Sequence, residues 1–220
     1  MTSESKRPYD ARRRRERAEQ ERQATRLRVI EAARTLFLER GYVATTMADI
    51  ARQARVALQS VYKVGHSKAD LLHNVRDLAV AGDDQQVMLL ERPEFVAIRA
   101  EARPERQVQM LAALITTTMQ RLAPVWVAYL EAAAVDTKAA ANLVTAHQRR
   151  HHTLSSVISA LPEGRLRHPP EQSADTAWAV GSPELFLLLR SVLDWDADQY
   201  TEWLSRTLAD LLLIPEASAT

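Results

Sequence analysis

The stretch Thr45–Leu72, TTMADIARQARVALQSVYKVGHSKADLL, constrains this chain more than any other. Thr46 is a good helix N-cap, and Asp49 follows three positions on, a near-match to a capping box. Ala48, Ile50, Ala51 and Ala54 give the helix that starts there a small apolar face. The chain then turns near Arg55–Val56. A second helix follows from about Leu58 to Lys63, with Gln59, Ser60 and Lys63 on one side and Val61 on the other. Ser67, with Asp70 at its third position, caps a third helix. Two short helices, a tight turn and a polar outer face on the second make a helix-turn-helix, the arrangement that fits a helix into a DNA major groove.

Charge divides the chain in the same place. Residues 1–68 hold 16 Lys/Arg against 8 Asp/Glu, and residues 69–220 hold 13 against 20. A basic first third beside an acidic remainder points to a polyanion at one end only. Residues 1–9 read as disordered, and residues 1–24 as a basic, partly disordered arm. Arg12, Arg13, Arg14 and Arg15 are consecutive. They read either as a solvated, partly helical tail with glutamate partners or as an arm along the DNA backbone or minor groove. Residues 25–72 form the helix-turn-helix domain and residues 73–220 a second helical domain. Leu27, Ile30, Ala33, Leu36 and Phe37 have helical spacing, and Gly41 stands where a glycine ends a helix.

The second domain is helical throughout. Ser67 to about Ala81 reads as the connector between domains, with residues 91–105 a loop holding a short helical piece. Val108 to Leu122 is an apolar stripe that Pro124 is expected to end, before an apolar run over Val125–Val135. Thr137–Leu161, Glu171–Val192 with an interruption at Ser182–Pro183, and Gln199–Leu213 follow as helices. The fold class is therefore all-α, about nine helices, a three-helix reading head plus a helical bundle. With five glycines and no cysteine, composition favours helices and excludes a thiolate metal site or a cysteine nucleophile. No run approaches the roughly 18 apolar residues that span a bilayer, and no apolar segment follows the basic N-terminus as in a secretory signal.

The run GY-x-x-TTM-x-DIA-x-x-A-x-V-x-x-x-x-VY, followed by SK-x-x-LL, resembles the DNA-binding domain of the TetR family of transcriptional regulators, over about Ile30–Leu72. Three residues depart from the family pattern. Arg55 replaces the usual turn glycine, Ala57 a capping hydroxyl, and Gly65 an aromatic, whose loss would loosen the joint to the connector. The stretch Trp178–Leu213 resembles the C-terminal end of many such regulators, whose last two helices pair with a second subunit. With the wide apolar face of the last helix, that resemblance implies a homodimer interface at Leu187, Trp203, Leu204, Leu208, Leu211 and Leu212.

On this resemblance Tyr62 and Lys63 contact phosphates or bases, although Tyr62 could equally pack. Gln59 could read adenine or be solvated, with Ser60 beside it. Lys68 and Thr46 stand at helix starts where a phosphate can bind. Met110, Met119, Trp126, Tyr129, Trp178 and Phe186 are candidates for an apolar effector pocket, against the alternative of ordinary core. His147 and His151 lie four apart, but residue 148 is Gln rather than the Glu of a zinc-hydrolase motif, and no metal or cofactor is expected. The expected function is a cytoplasmic, dimeric operator-binding repressor released by an unknown small apolar effector, with double-stranded DNA as partner and no membrane. The alternatives are a helical-bundle enzyme, for which phosphate loops and catalytic clusters are lacking, and a DNA-binding protein without an effector.

Overall fold

The computed structural model describes residues 6–85 and 87–215. Among these residues the structure is all-α, with ten α-helices, two 3-10 turns and one isolated bridge between Leu166 and Leu213. The chain divides into one unit up to Val75 and another from Arg76. No helix among the described residues is long and apolar enough to cross a membrane.

In the first unit, α1 (Lys6–Ala44) begins inside the stretch expected to be disordered, and residues 1–5 lie outside the described residues. From Arg12 onward, Arg and Glu side chains at three- and four-residue spacing support the helix, as Arg12–Glu16 at 2.8 Å shows. Gly41, at φ 77°, breaks the helical path. Val29, Ile30, Ala33, Leu36 and Phe37 are buried, and Phe37 stacks on Tyr42 with ring centroids 5.7 Å apart. Thr45, fully buried, donates its hydroxyl to the Gly41 carbonyl at 2.9 Å.

Helix α2 (Met47–Ala54) starts on a full capping box. Thr46 Oγ1 accepts from Asp49 N at 3.1 Å, and Asp49 accepts from Thr46 N at 3.2 Å. The Thr46 hydrogen bonds hold the Asp49 carboxyl below its ordinary pKa. Arg55 takes the left-handed conformation (φ 55°, ψ 47°) that a glycine would adopt more cheaply, and Val56 N closes the turn on Ala51 O at 3.0 Å. Helix α3 (Leu58–Val64) has Ala57 as N-cap, with no side-chain hydrogen bond. Two local substitutions should therefore stabilise this unit. Ala57→Ser should add about 1 kcal/mol, and Arg55→Gly a few tenths to about 1 kcal/mol after the entropic cost of glycine. Urea melts of the full chain test this, and unchanged or lowered midpoints for both would contradict it.

Helix α4 (Lys68–Ala81) starts at Ser67, whose hydroxyl accepts from Asp70 N at 3.2 Å. The space beside Gly65, where the missing aromatic is expected to be felt, is occupied. Gly65 is buried, and a Cβ there would lie 2.8 Å from Leu71 Cδ2, so Leu71 fills the space. Asn74 Nδ2 also donates to Val64 O at 2.9 Å, tying α4 to the end of α3.

The second unit contains α5 (Pro93–Ala100), α6 (Pro104–Val135), α7 (Thr137–Ile158), α8 (Pro170–Val180), α9 (Pro183–Val192) and α10 (Ala197–Leu212). Pro124 does not end its helix; α6 runs through it. An internal proline costs about 3 kcal/mol. Continuing the helix buries Val125, Trp126, Ala128, Tyr129 and Ala132 on one face, and each large side chain contributes about 1.5–3 kcal/mol. The break at Ser182–Pro183 does occur. Ser182 Oγ accepts from Leu185 N at 3.2 Å and caps α9, with Pro183 in its first turn.

The expected dimer residues divide. Leu204 and Leu208 are 0% exposed and Leu212 1%. They form the face α10 turns inward within its own unit, where α6 is its main neighbour, so they have no area to give a second subunit. Leu187 and Trp203 are half-buried, and Leu211 is exposed.

Candidate functional site

Helix α3 is held by the fully buried Val61 and turns Leu58, Gln59, Tyr62 and Lys63 outward, with Ser60 half-buried. Tyr62 is 45% exposed despite its apolar ring. This face offers one cation, one amide and one phenol, which can donate to phosphate or to base edges.

Two residues expected beside it are engaged within the chain. The Thr46 hydroxyl donates to Asp49 at 2.6 Å while accepting from its N–H, so the side chain is occupied by the cap. Lys68 Nζ donates to Tyr42 O at 2.8 Å and lies 4.2 Å from the centre of the Tyr42 ring, fastening α4 to the end of α1. Arg12, Arg13, Arg14 and Arg15 are all exposed on α1.

The second unit contains a cavity of about 930 Å³. Its apolar wall is Leu111, Ile115, Met119, Leu122 and Trp126 of α6, with Phe95 of α5. Of the six expected pocket residues, Met119 and Trp126 line it, and Met110 lines a second hollow of about 720 Å³. The other three are outside both linings. Tyr129 is fully buried and stacks on Trp126, Trp178 lies under the Arg150 guanidinium, and Phe186 packs edge-on against Tyr200.

Sequence reasoning missed the arginines that line the cavity, Arg76, Arg92, Arg149 and Arg150. For Arg150 the sequence does carry a signal. It stands between Ala146 and Leu154 at four-residue spacing, on the face α7 buries.

His147 sits among Trp126, Trp178 and Arg150 rather than in a metal cluster, with ring centroids 5.2 Å from Trp126 and 5.7 Å from Trp178. No group of three potential ligands for a metal ion occurs among the described residues. Burial lowers the His147 pKa below 6.5; Arg150 and Arg76 add to this, and Glu184 opposes it. The unfolded chain therefore binds the proton more readily, and His147's contribution to stability is full above pH 6.5 and lost as pH falls below it. His147→Phe should flatten the acid side of the stability curve in that window. Urea melts at a series of pH values would contradict the assignment if the two curves stayed parallel.

These features define an architecture: an all-α chain with a capped helix-turn-helix in one unit and a ligand-sized cavity in the other. Residues 29–75 match the family described as bacterial regulatory proteins, tetR family. The HTH-type transcriptional regulator TtgR of Pseudomonas putida is 41% identical over 61 residues, 28% of this chain and 29% of TtgR. The chain thus aligns with under a third of that relative's length. Solved structures extend the likeness to the fold. NalD of Pseudomonas aeruginosa superposes with a TM-score of 0.64 at 20% identity, over 90% of this chain and 100% of NalD. SmeT in its triclosan complex gives 0.64 at 16% identity, over 90% and 98%. Residues 29–75 are thus similar to the tetR family of bacterial regulatory proteins, and the chain as a whole shares the fold of NalD and SmeT.

Proposed function

We propose that this protein is a dimeric transcriptional repressor. It binds a palindromic operator through α3 of each subunit and leaves it when a small, largely apolar ligand fills the cavity beside α6. The observation that carries the reading is the outward face of α3, with Gln59, Tyr62 and Lys63 presented by a helix anchored on Val61. NalD, a neighbour in fold, is the secondary repressor of a multidrug efflux pump, and SmeT holds triclosan. The first supports the reading as a repressor, and the second the reading of a small-molecule ligand. Arg12 to Arg15 extend the DNA contact, and the protein acts in the cytoplasm, where its operator is.

Pairing falls to residues that α9 and α10 leave exposed. Leu188 is 53% exposed, Val192 69% and Leu211 42%. In a symmetric dimer the two α3 helices must enter grooves about 34–36 Å apart. Helix α4 carries residues of both units, so a ligand that tilts it changes that spacing.

Gel shift of the DNA upstream of the protein's own gene tests the reading, with Lys63→Ala and Tyr62→Ala as controls. Retardation that unspecific competitor abolishes, or that both variants retain in full, would defeat it. By linkage, the effector must bind free protein more tightly than operator-bound protein, by the factor with which it weakens DNA binding.

A further inference from the structure

The cavity of the second unit carries more positive charge than its apolar wall explains. Arg76, Arg92, Arg149 and Arg150 line it together with one carboxylate, Asp77, and Arg92 is paired with Asp83 at 2.7 Å. Asp77 pairs with Arg76 and lies 3.8 Å from Arg149. Arg150 has no carboxylate partner among the described residues. Its Nη1 donates to the Gly181 carbonyl at 3.3 Å, and its guanidinium lies 4.8 Å from the centre of the Trp178 ring. Its Nε and Nη2 are buried without an acceptor. The nearby Glu184 carboxylate instead accepts from Trp126 Nε1 at 2.9 Å. Arg76 is 7% exposed, and its Nε is also buried without an acceptor.

Burial lowers the Arg150 pKa to about 10, which leaves it a cation at neutral pH. A buried guanidinium with unused N–H groups is costly. What it lacks is an acceptor that brings negative charge, and its fork matches a carboxylate in two-point geometry.

We infer that the ligand of this cavity is an amphipathic organic anion, its apolar body against Leu111, Ile115 and Met119 and its carboxylate held by Arg150 and Arg76. This rests on the reading of the cavity as the effector site. It adds that charge, and not apolar fit alone, selects the effector.

Decanoate and decanol share a chain and differ in the charged head, and both would be titrated into the full-length protein by calorimetry. Decanoate should bind about tenfold or more tighter. Arg150→Gln should bring decanoate down to the affinity of decanol and leave decanol binding unchanged, which also shows that the cavity is intact. Arg150→Lys, keeping the charge without the fork, should fall between. Equal affinities in the unaltered protein would overturn the inference and leave an apolar effector site standing. A decanoate preference untouched by Arg150→Gln would overturn the assignment to these residues. Binding of neither probe would count against both the inference and the effector reading. Preferential decanoate binding without release of operator DNA would overturn the effector reading alone.

Discussion

Leu208→Glu is expected to unfold the second unit, not to separate two folded subunits. Leu208 is 0% exposed on the inward face of α10 and shares that face with Leu204 and Leu212. The substitution removes a core side chain and puts an unpaired carboxylate in its place. Together these cost more than about 4 kcal/mol, a large part of a domain's stability. Helical circular dichroism should drop and the melting transition move far down. Leu188→Glu and Val192→Glu on α9 make the opposite pair, because both residues are exposed in the single subunit. They should leave subunit stability within about 0.5 kcal/mol and shift the mass in light scattering from dimer to monomer. A Leu208→Glu protein that melts normally as a monomer would return the inward leucines to the dimer seam. An intact dimer in both α9 variants would move the seam elsewhere.

The reading head is legible in the sequence because its signals are local. Thr46 with Asp49, Ser67 with Asp70 and the single buried Val61 act within one or two helical turns, and each is found where the pattern puts it. Even the missing turn glycine can be read, since Arg55 takes the left-handed conformation that the two-helix geometry demands. The second unit is harder to read because its outcomes depend on which of several apolar faces meets which neighbour. Pro124 carries a fixed local penalty, and the burial that outweighs it belongs to residues further along the helix. An apolar stripe on α10 looks the same in sequence whether it meets α6 of its own chain or a partner. Charge alone marks Arg150 as a surface residue, although its spacing with Ala146 and Leu154 marks a buried face.

Replacing Arg14 and Arg15 with Ala should weaken operator binding more than replacing Arg12. All three are exposed on α1, but Arg12 Nε is paired with Glu16 at 2.8 Å, whereas no carboxylate partner of Arg14 or Arg15 occurs among the described residues. A cation with a carboxylate at hand offers a phosphate less net charge, and an exposed pair of this kind is worth only a few tenths of a kcal/mol to the helix. Removing one cation from a phosphate lowers the log–log salt slope by about 0.9. The double variant should therefore lose about two units of slope, and at about 0.1 M salt several tens of fold in affinity. Arg12→Ala should lose less than one unit. Glu16→Ala should strengthen binding, since it frees Arg12 and removes a negative charge from the DNA side. Fluorescence anisotropy on operator DNA from low to moderate salt measures all four. Parallel salt plots for the double variant and the unaltered protein would leave α1 before residue 24 a solvated helix with no part in binding, and the affinity would then rest on the α3 face alone.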